Sequence, residues 1–444
     1  MKHQKRNLAL ALLLPLCLCL LLTSCDLPWE VSTSIGEREN EYDGIFDIRD
    51  EFGTDSTDRP PVIIPDDSDN KNENESDGDR VENEIPTDDK NEYFPDDKGD
   101  KNENNVEYAA SVGLRSVVSV YAGFGNNSSA GSGVIYKLNI VSGSAFIITN
   151  YHVVYHSSYG LSEDINCYLF GMESSDYAIP ATFVGGSPNY DIAVLRIDDS
   201  KVIRAAGARG SIAAACLANS DYVFPGQSAI AIGNPNASGI SVTSGVVSVD
   251  SEHLEIMSAT GSGYVQLRVI RVDTAVNSGN SGGGLFDGDG ELIGIVNAKI
   301  ASSSVENIGY AIPSNVARAI ADNIIYYCHG TDCTSVMRAM LGVTVTISSL
   351  STNYNIDTGR LERIEEVSVH EVTPGALADG IFEVGDIIKT VSIGNQSLNI
   401  TRQHQLIDTM LDARVGDTVS FTLIRDNKEI KLSTTITEKC LTAY

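Results

Sequence analysis

The chain has 444 residues, 42% of them hydrophobic, and a formal net charge of −29, enough length and apolar content for two or three domains with real cores. Between Asp26 and Glu107, 28 acidic residues stand against 8 basic ones, a net of −20, so about two-thirds of the imbalance lies in one stretch. The remainder is mildly acidic and has no basic stripe, which excludes a nucleic-acid partner.

The N-terminus reads as an export signal. Lys2, Lys5 and Arg6 precede an apolar run from Leu8 to Leu22 that is broken by Pro15. Roughly 15 residues falls short of the ~20 that a membrane-spanning helix needs. Leu22-Thr23-Ser24-Cys25 then resembles a bacterial lipobox. Cleavage there would leave Cys25 as a diacylglyceryl-modified N-terminus, and two acyl chains suffice for stable anchoring. An ordinary secretory signal and an uncleaved anchor are the alternatives. With Cys17 and Cys19 lost in the signal, five other cysteines remain besides Cys25: Cys167, Cys216, Cys328, Cys333 and Cys440. Cys328 and Cys333 are close enough in sequence to bridge outside the cytoplasm. They lack the second pair that a zinc site would require.

Residues 26–107 are rich in Asp, Glu, Asn, Ser and Pro and poor in sustained apolar runs. Such a segment cannot bury enough surface to offset its ordering entropy and should be an extended, self-repelling tether. From Tyr108 onward short β-rich runs alternate with turns: Ser116–Tyr121, Gly133–Lys137, Ala145–Thr149, Ile192–Ile197, Ala229–Ile232, Gly245–Val249, Val265–Val269 and Leu292–Ala298. Strands this short and close predict an all-β barrel or sandwich. A helix follows over Asn315–Cys328, with Val316, Ala319, Ile320, Ile324 and Tyr327 on one face. The domain so bounded is 108–330. A second unit, 331–444, has strand-like runs at Gly342–Ile347, Val367–Val372, Ile387–Ile393, Val419–Arg425 and Glu429–Thr434, and a helical stretch at Gln405–Ala413.

The strongest chemical signal is Asn277-Ser278-Gly279-Asn280-Ser281-Gly282-Gly283. A serine hydroxyl needs a base and donors for the oxyanion. Glycines around it let the backbone turn sharply and aim the amides of Gly279 and Ser281 at the developing charge. Alone, a Gly-Ser-Gly run is more often just a turn, so the partners decide. His152 ends an apolar strand, Ile147-Ile148-Thr149-Asn150-Tyr151-His152, and is the base candidate against a bland core histidine. His156, four residues on, lacks the intervening Glu and third ligand of a metal site, so no metal or other cofactor is expected. Asp191 opens the run Ile192-Ala193-Val194-Leu195; a carboxylate buried there needs a partner, and a histidine N–H fits. The order His, Asp, Ser is one known arrangement of a catalytic triad.

Gly131-Ser132-Gly133-Val134-Ile135, Thr149-Asn150-Tyr151-His152-Val153-Val154, Asp191-Ile192-Ala193-Val194-Leu195, Ile232-Gly233-Asn234-Pro235, Gly279-Asn280-Ser281-Gly282-Gly283 and Gly309-Tyr310-Ala311-Ile312-Pro313 occur in the order seen in the HtrA/Deg family. The chain resembles that family of trypsin-like serine proteases from residue 108 to about residue 440. The resemblance implies a mainly β fold, a double six-stranded β-barrel followed by a PDZ domain. It also implies a triad of His152, Asp191 and Ser281, unfolded or damaged exported proteins as substrates, and a homotrimer. One departure stands out: the family commonly has proline where Gly284 stands, and a glycine there should loosen the chain past the nucleophile.

By the same resemblance Ala275 lies at the floor of the primary specificity pocket and Ile308, Gly309 and Tyr310 form its wall. With no acid at the floor, cleavage after small or medium aliphatic residues is expected. Met340-Leu341-Gly342-Val343 resembles the PDZ carboxylate loop, placing Leu341, Gly342 and Val343 at the C-terminus of a bound peptide that would add a strand beside Gly342–Val345. The rival readings are a non-catalytic chaperone or scaffold on an idle protease fold, and an adhesin on an acidic stalk.

Overall fold

A computed structural model describes residues 106–300, 308–328, 333–356 and 358–444. The predicted signal with Cys25, and the tether up to residue 105, lie outside the described residues.

A short helix, α1 (Val106–Gly113), leads into β1 (Val117–Phe124), β2 (Asn127–Asn139) and β3 (Ser144–Thr149). One helical turn, α2 (Tyr151–Val154), is followed by a small hairpin of β4 (Tyr155–His156) and β5 (Gly160–Leu161). With β6 (Asp164–Leu169), β7 (Ile179–Ser187) and β8 (Ile192–Ile197) the strands close into a barrel of order β1-β2-β3-β8-β7-β6. Strand β3 is buried along its whole length, as is nearly all of β8, which is why both read as continuous apolar runs in the sequence. Val118, Val120, Ile135, Ile147 and Leu195 fill the interior.

Helix α3 (Lys201–Ala208), capped where the Ser200 hydroxyl accepts the Ile203 N–H, runs into the second barrel. That barrel is β9 (Ser228–Gly233), β10 (Ser241–Met257), β11 (Tyr264–Val272), β12 (Gly284–Phe286), β13 (Leu292–Val296) and β14 (Gly309–Pro313), closing in the order β10-β11-β14-β13-β12-β9. Strand β10 runs well past the predicted Gly245–Val249, because its outer part alternates partly buried and exposed residues and lacks the apolar run that marks a core strand. Strand β11 exceeds the predicted Val265–Val269 only by Tyr264 before it and Ile270–Val272 after it. Helix α4 (Ser314–Tyr327) follows, and Val316, Ala319, Ile320 and Ile324 are buried on the predicted face.

The rest forms a separate sheet. β15 (Met337–Ala339) pairs with the distant β22 (Leu441–Ala443). β16 (Val343–Asn355), β17 (Arg360–Val372), β18 (Ile387–Ile393), β20 (Thr418–Arg425) and β21 (Lys428–Thr435) lie in that order, with β19 (Gln396–Asn399) on β18. Helix α5 (Gln403–Met410) begins two residues before the predicted start because the Gln405 side chain folds back to accept the Thr401 and Arg402 amides. Between barrels and sheet, Cys328 and Cys333 are bridged, with Cα atoms 5.7 Å apart. Cys167, Cys216 and Cys440 are free thiols. No described helix is long and apolar enough to cross a membrane.

Candidate active site

Strand β3 ends at Thr149, and the imidazole is carried one turn further, on α2 rather than on the strand itself. Asn150 ties this turn to the start of β8, its Nδ2 donating to the Asp191 carbonyl at 2.8 Å. Asp191 has a left-handed backbone, φ 51°, which few non-glycine residues adopt without support. Here the support is local, since the Tyr151 N–H also donates to the Asp191 carbonyl, at 3.2 Å.

The Asp191 carboxylate therefore points back at His152. Its Oδ2 lies 2.7 Å from His152 Nδ1, and its Oδ1 accepts the His152 backbone N–H at 3.0 Å. A third donor comes from the second barrel, Asn297 Nδ2 at 2.8 Å from Oδ2. Burial would raise the Asp191 pKa, but the His152 charge and the bonds from His152 and Asn297 outweigh it and hold the carboxyl below its ordinary value. A carboxylate so fixed keeps the Nδ1 proton and leaves Nε2 for chemistry.

Ser281 sits in the loop before β12. Gly279 (φ +97°) and Gly282 (φ +84°) both need the left-handed freedom of glycine, and a Cβ on either would overlap a backbone oxygen, that of Asn234 or Ser132 respectively. Ser132 sews this loop to the first barrel. Its N–H donates to the Ser281 carbonyl, its hydroxyl donates to the Gly279 carbonyl, and the same hydroxyl accepts the Asn234 N–H, each at 2.8 Å. The amides of Asn280, Gly282 and Gly283 are engaged with Asn277, Val296 and Asn280 carbonyls. Among the described residues the Gly279 and Ser281 amides have no acceptor. Ser281 Oγ accepts the Ala298 N–H at 3.2 Å, and no hydrogen bond between it and His152 is present among the described residues.

Gly284 is no slack point. It is buried in β12, paired with Ile232 on one side and Ile295 on the other, and the Phe286 ring occupies the space beneath it. At the expected pocket, Gly309 backs onto Val276, while Ala275 is exposed and its carbonyl accepts the Thr243 hydroxyl at 2.9 Å. Ile308 is partly buried, and the Tyr310 carbonyl accepts the Asn297 N–H at 2.8 Å, which brings the expected wall beside the Asp191 partner. Among the described residues no three His, Cys, Asp or Glu side chains gather as a metal would need, and His156 Nδ1 is taken up by the Ser158 N–H.

In the third sheet Leu341 is buried, Gly342 has φ +79°, and Val343 opens the edge strand β16. The Thr373 and Ala378 amides donate to the Gly342 and Leu341 carbonyls, at 2.8 and 2.9 Å. α5 lies alongside, its Gln403 Nε2 donating to the Val345 carbonyl at 3.1 Å.

Two closed six-stranded barrels with this histidine–aspartate pair and glycine-bound serine define a trypsin-like serine protease fold. A sequence profile described as the trypsin-like peptidase domain matches residues 131–295. The chain is 33% identical over 316 residues to serine protease Do-like HtrA of Bacillus subtilis (strain 168), an alignment covering 68% of this chain and 62% of that one. It is also 33% identical over 325 residues to the Do-like HtrA of Lactococcus lactis subsp. cremoris (strain MG1363), covering 69% and 71%. The chain belongs to the HtrA/Deg family of serine proteases. Among solved structures, the HtrA-type protease AlgW with tripeptide shares 29% identity over 76% of this chain and 97% of its own, with a TM-score of 0.49.

Proposed function

We propose that the protein is an extracytoplasmic serine endoprotease that degrades or processes misfolded or regulatory envelope proteins. The observation that carries this reading is the 2.7 Å contact of Asp191 with His152 Nδ1, which leaves Nε2 as the base. Its support is the pair of amides at Gly279 and Ser281 that have no acceptor among the described residues. His152 takes the proton of Ser281 as Oγ bonds to the peptide carbonyl carbon. The oxyanion accepts the Gly279 and Ser281 N–H groups. On collapse the C–N bond breaks and His152 returns the proton to the leaving amine. Water, deprotonated by His152, then adds to the acyl ester, and the C–Oγ bond breaks as His152 returns the proton to Ser281 Oγ. No cofactor is required. The chain's third sheet acts as a PDZ domain: a peptide C-terminus caps on Leu341, Gly342 and Val343 and adds as a strand to β16. Cys25 carries the lipid anchor, and the assembly is a homotrimer.

The second reading, an idle protease fold serving as a chaperone or scaffold, draws on one observation, the Ser281 hydroxyl held by Ala298 instead of His152. Incubating the purified chain and its Ser281→Ala variant with unfolded casein separates the two. Cleavage lost only in the variant establishes the protease; binding without cleavage by either establishes the scaffold.

A further inference from the structure

We infer that Asn236 is a positioning residue for the oxyanion site, holding the Ser278–Gly279 peptide so that its N–H faces the reacting carbonyl. This deepens the catalytic reading above and rests on it. In a planar trans peptide the carbonyl and the N–H point in opposite directions, so fixing one fixes the other. The Ser278 carbonyl accepts the Asn236 N–H at 2.8 Å, and the Gly279 N–H on the far side of that peptide has no acceptor among the described residues. A flipped peptide would present a carbonyl oxygen to the oxyanion, and repulsion would replace a hydrogen bond.

Asn236 makes this bond from a left-handed backbone, φ 54° and ψ 27°, with Ala237 following at φ 56°. Asparagine is among the few non-glycine residues that visit this region readily, and β-branched residues are nearly barred from it. The surrounding turn is held without the Asn236 side chain. Asn234 Oδ1 accepts the Gly239 N–H at 2.8 Å, Asn234 Nδ2 donates to the Tyr121 hydroxyl at 3.1 Å, and the Ser238 hydroxyl donates to the Pro235 carbonyl at 2.6 Å. The Asn236 side chain itself is exposed. Substitution there changes the backbone preference and little else. Gly279 completes the fit, since a side chain on it would run into the Asn234 carbonyl and the Asn236 amide.

The test is a graded series at residue 236 in the full chain, Asn236→Gly, Asn236→Ala and Asn236→Val, assayed on a peptide substrate. Asn236→Gly should keep kcat near wild type. Asn236→Val should lower kcat by about 100-fold, the size of losing one oxyanion donor, with KM changed by less than about twofold and Asn236→Ala falling between. Affinity for a peptide aldehyde, which forms the tetrahedral adduct, should fall in step with kcat. A Val variant that melts with the wild type yet turns over normally overturns the inference. So does a Gly variant as impaired as Val, which would put the effect in the side chain. Deuterium exchange at the Asn236 amide needs no turnover and should be slow in the wild type and Gly variant and fast in Val. Fast exchange in the wild type also overturns the inference; slow exchange beside a wild type that cleaves nothing would sink the catalytic reading while upholding the peptide lock.

Discussion

Arg268 on β11 and Asp408 on α5 meet at 2.7 Å, both side chains almost wholly buried between the second barrel and the third sheet. Asp221 lies 3.7 Å from the same guanidinium, and His404 Nε2 stands 3.5 Å from Asp221. His253, opposite Arg268 on β10, faces it too, while Arg318 holds Asp412 at 2.6 Å and Arg402 holds Asp250 at 2.7 Å around the rim. One almost wholly buried arginine thus serves two carboxylates. Burial, with the Asp221 charge adding to it, pushes the Asp408 carboxyl up to about 7 against the pull of Arg268. Burial also lowers the His404 pKa despite Asp221. For Asp221 burial acts upward, but His404 and Arg268 outweigh it and lower the value.

These shifts oppose one another, and single variants should separate them. Freed from the barrel, Asp408 is an ordinary carboxyl of pKa about 4. Between that value and about 7 the docked form holds the extra proton, so rising pH weakens docking. His404 works the other way: its docked form resists protonation, so rising pH strengthens docking until the free imidazole is neutral as well. Asp221 strengthens docking above the ordinary carboxylate range, and that contribution is lost only as pH falls through its depressed value. In Asp408→Asn, deuterium-exchange protection of residues 403–410 should rise from about pH 5 to about pH 7.5. In His404→Asn it should fall over the same range. Parallel trends in the two variants would refute the assignment.

Among the described residues the Asn297 amide is the one donor to Asp191 from outside the His152 turn. A hydrogen bond to a buried carboxylate contributes about 1.5–3 kcal/mol, so Asn297→Ala should lower kcat roughly 10- to 100-fold. The Asp191 carboxylate's contribution is present above the ordinary carboxylate pKa and is lost as pH falls through its depressed value. Without Asn297 that value rises, so the Asp191 carboxyl, followed by carbon NMR, should titrate at higher pH in Asn297→Ala than in the wild type. An unmoved carboxyl titration would leave Asn297 a packing residue only.

The three side chains proposed as a triad could be singled out because each lies in a short stretch with its own local signature: an apolar run broken by His152, an acid opening β8, and glycines flanking Ser281. Asn297 left only a faint mark, a lone amide after the apolar run of β13. Val276 against Gly309 depends on a chain reversal that no local pattern encodes. The Arg268 cluster was wholly hidden. Asp221, Arg268, His404 and Asp408 come from three separate elements, and in sequence each reads as a surface polar residue. Gly284 was visible as a departure, but the Phe286 ring packed against it is a tertiary fact.

Ser132 offers a test of how the barrels share the nucleophile loop. Ser132→Ala keeps the backbone N–H to Ser281 but strips partners from the Gly279 carbonyl and the Asn234 N–H, both in buried surroundings. Each orphaned group costs about 1–3 kcal/mol, so the loss of stability should be about 2–6 kcal/mol by denaturant unfolding. A near-neutral variant would show that water replaces the hydroxyl there.

Residue 284 tests whether the glycine was selected by its neighbour. A Cβ built on Gly284 overlaps the Phe286 ring, so Gly284→Ala should cost about 1–3 kcal/mol through overpacking. Gly284→Pro should cost more, since it also removes an N–H from a strand flanked by β9 and β13. Trimming the ring in Phe286→Leu opens a cavity that hurts on its own, but the same space admits the new methyl group. The double variant Gly284→Ala/Phe286→Leu should therefore be more stable than the sum of the two single losses predicts, by about 1 kcal/mol or more. Strictly additive losses in a double-mutant cycle would mean that the ring and the glycine do not answer to each other, and that the reason for glycine at this position lies elsewhere in the strand.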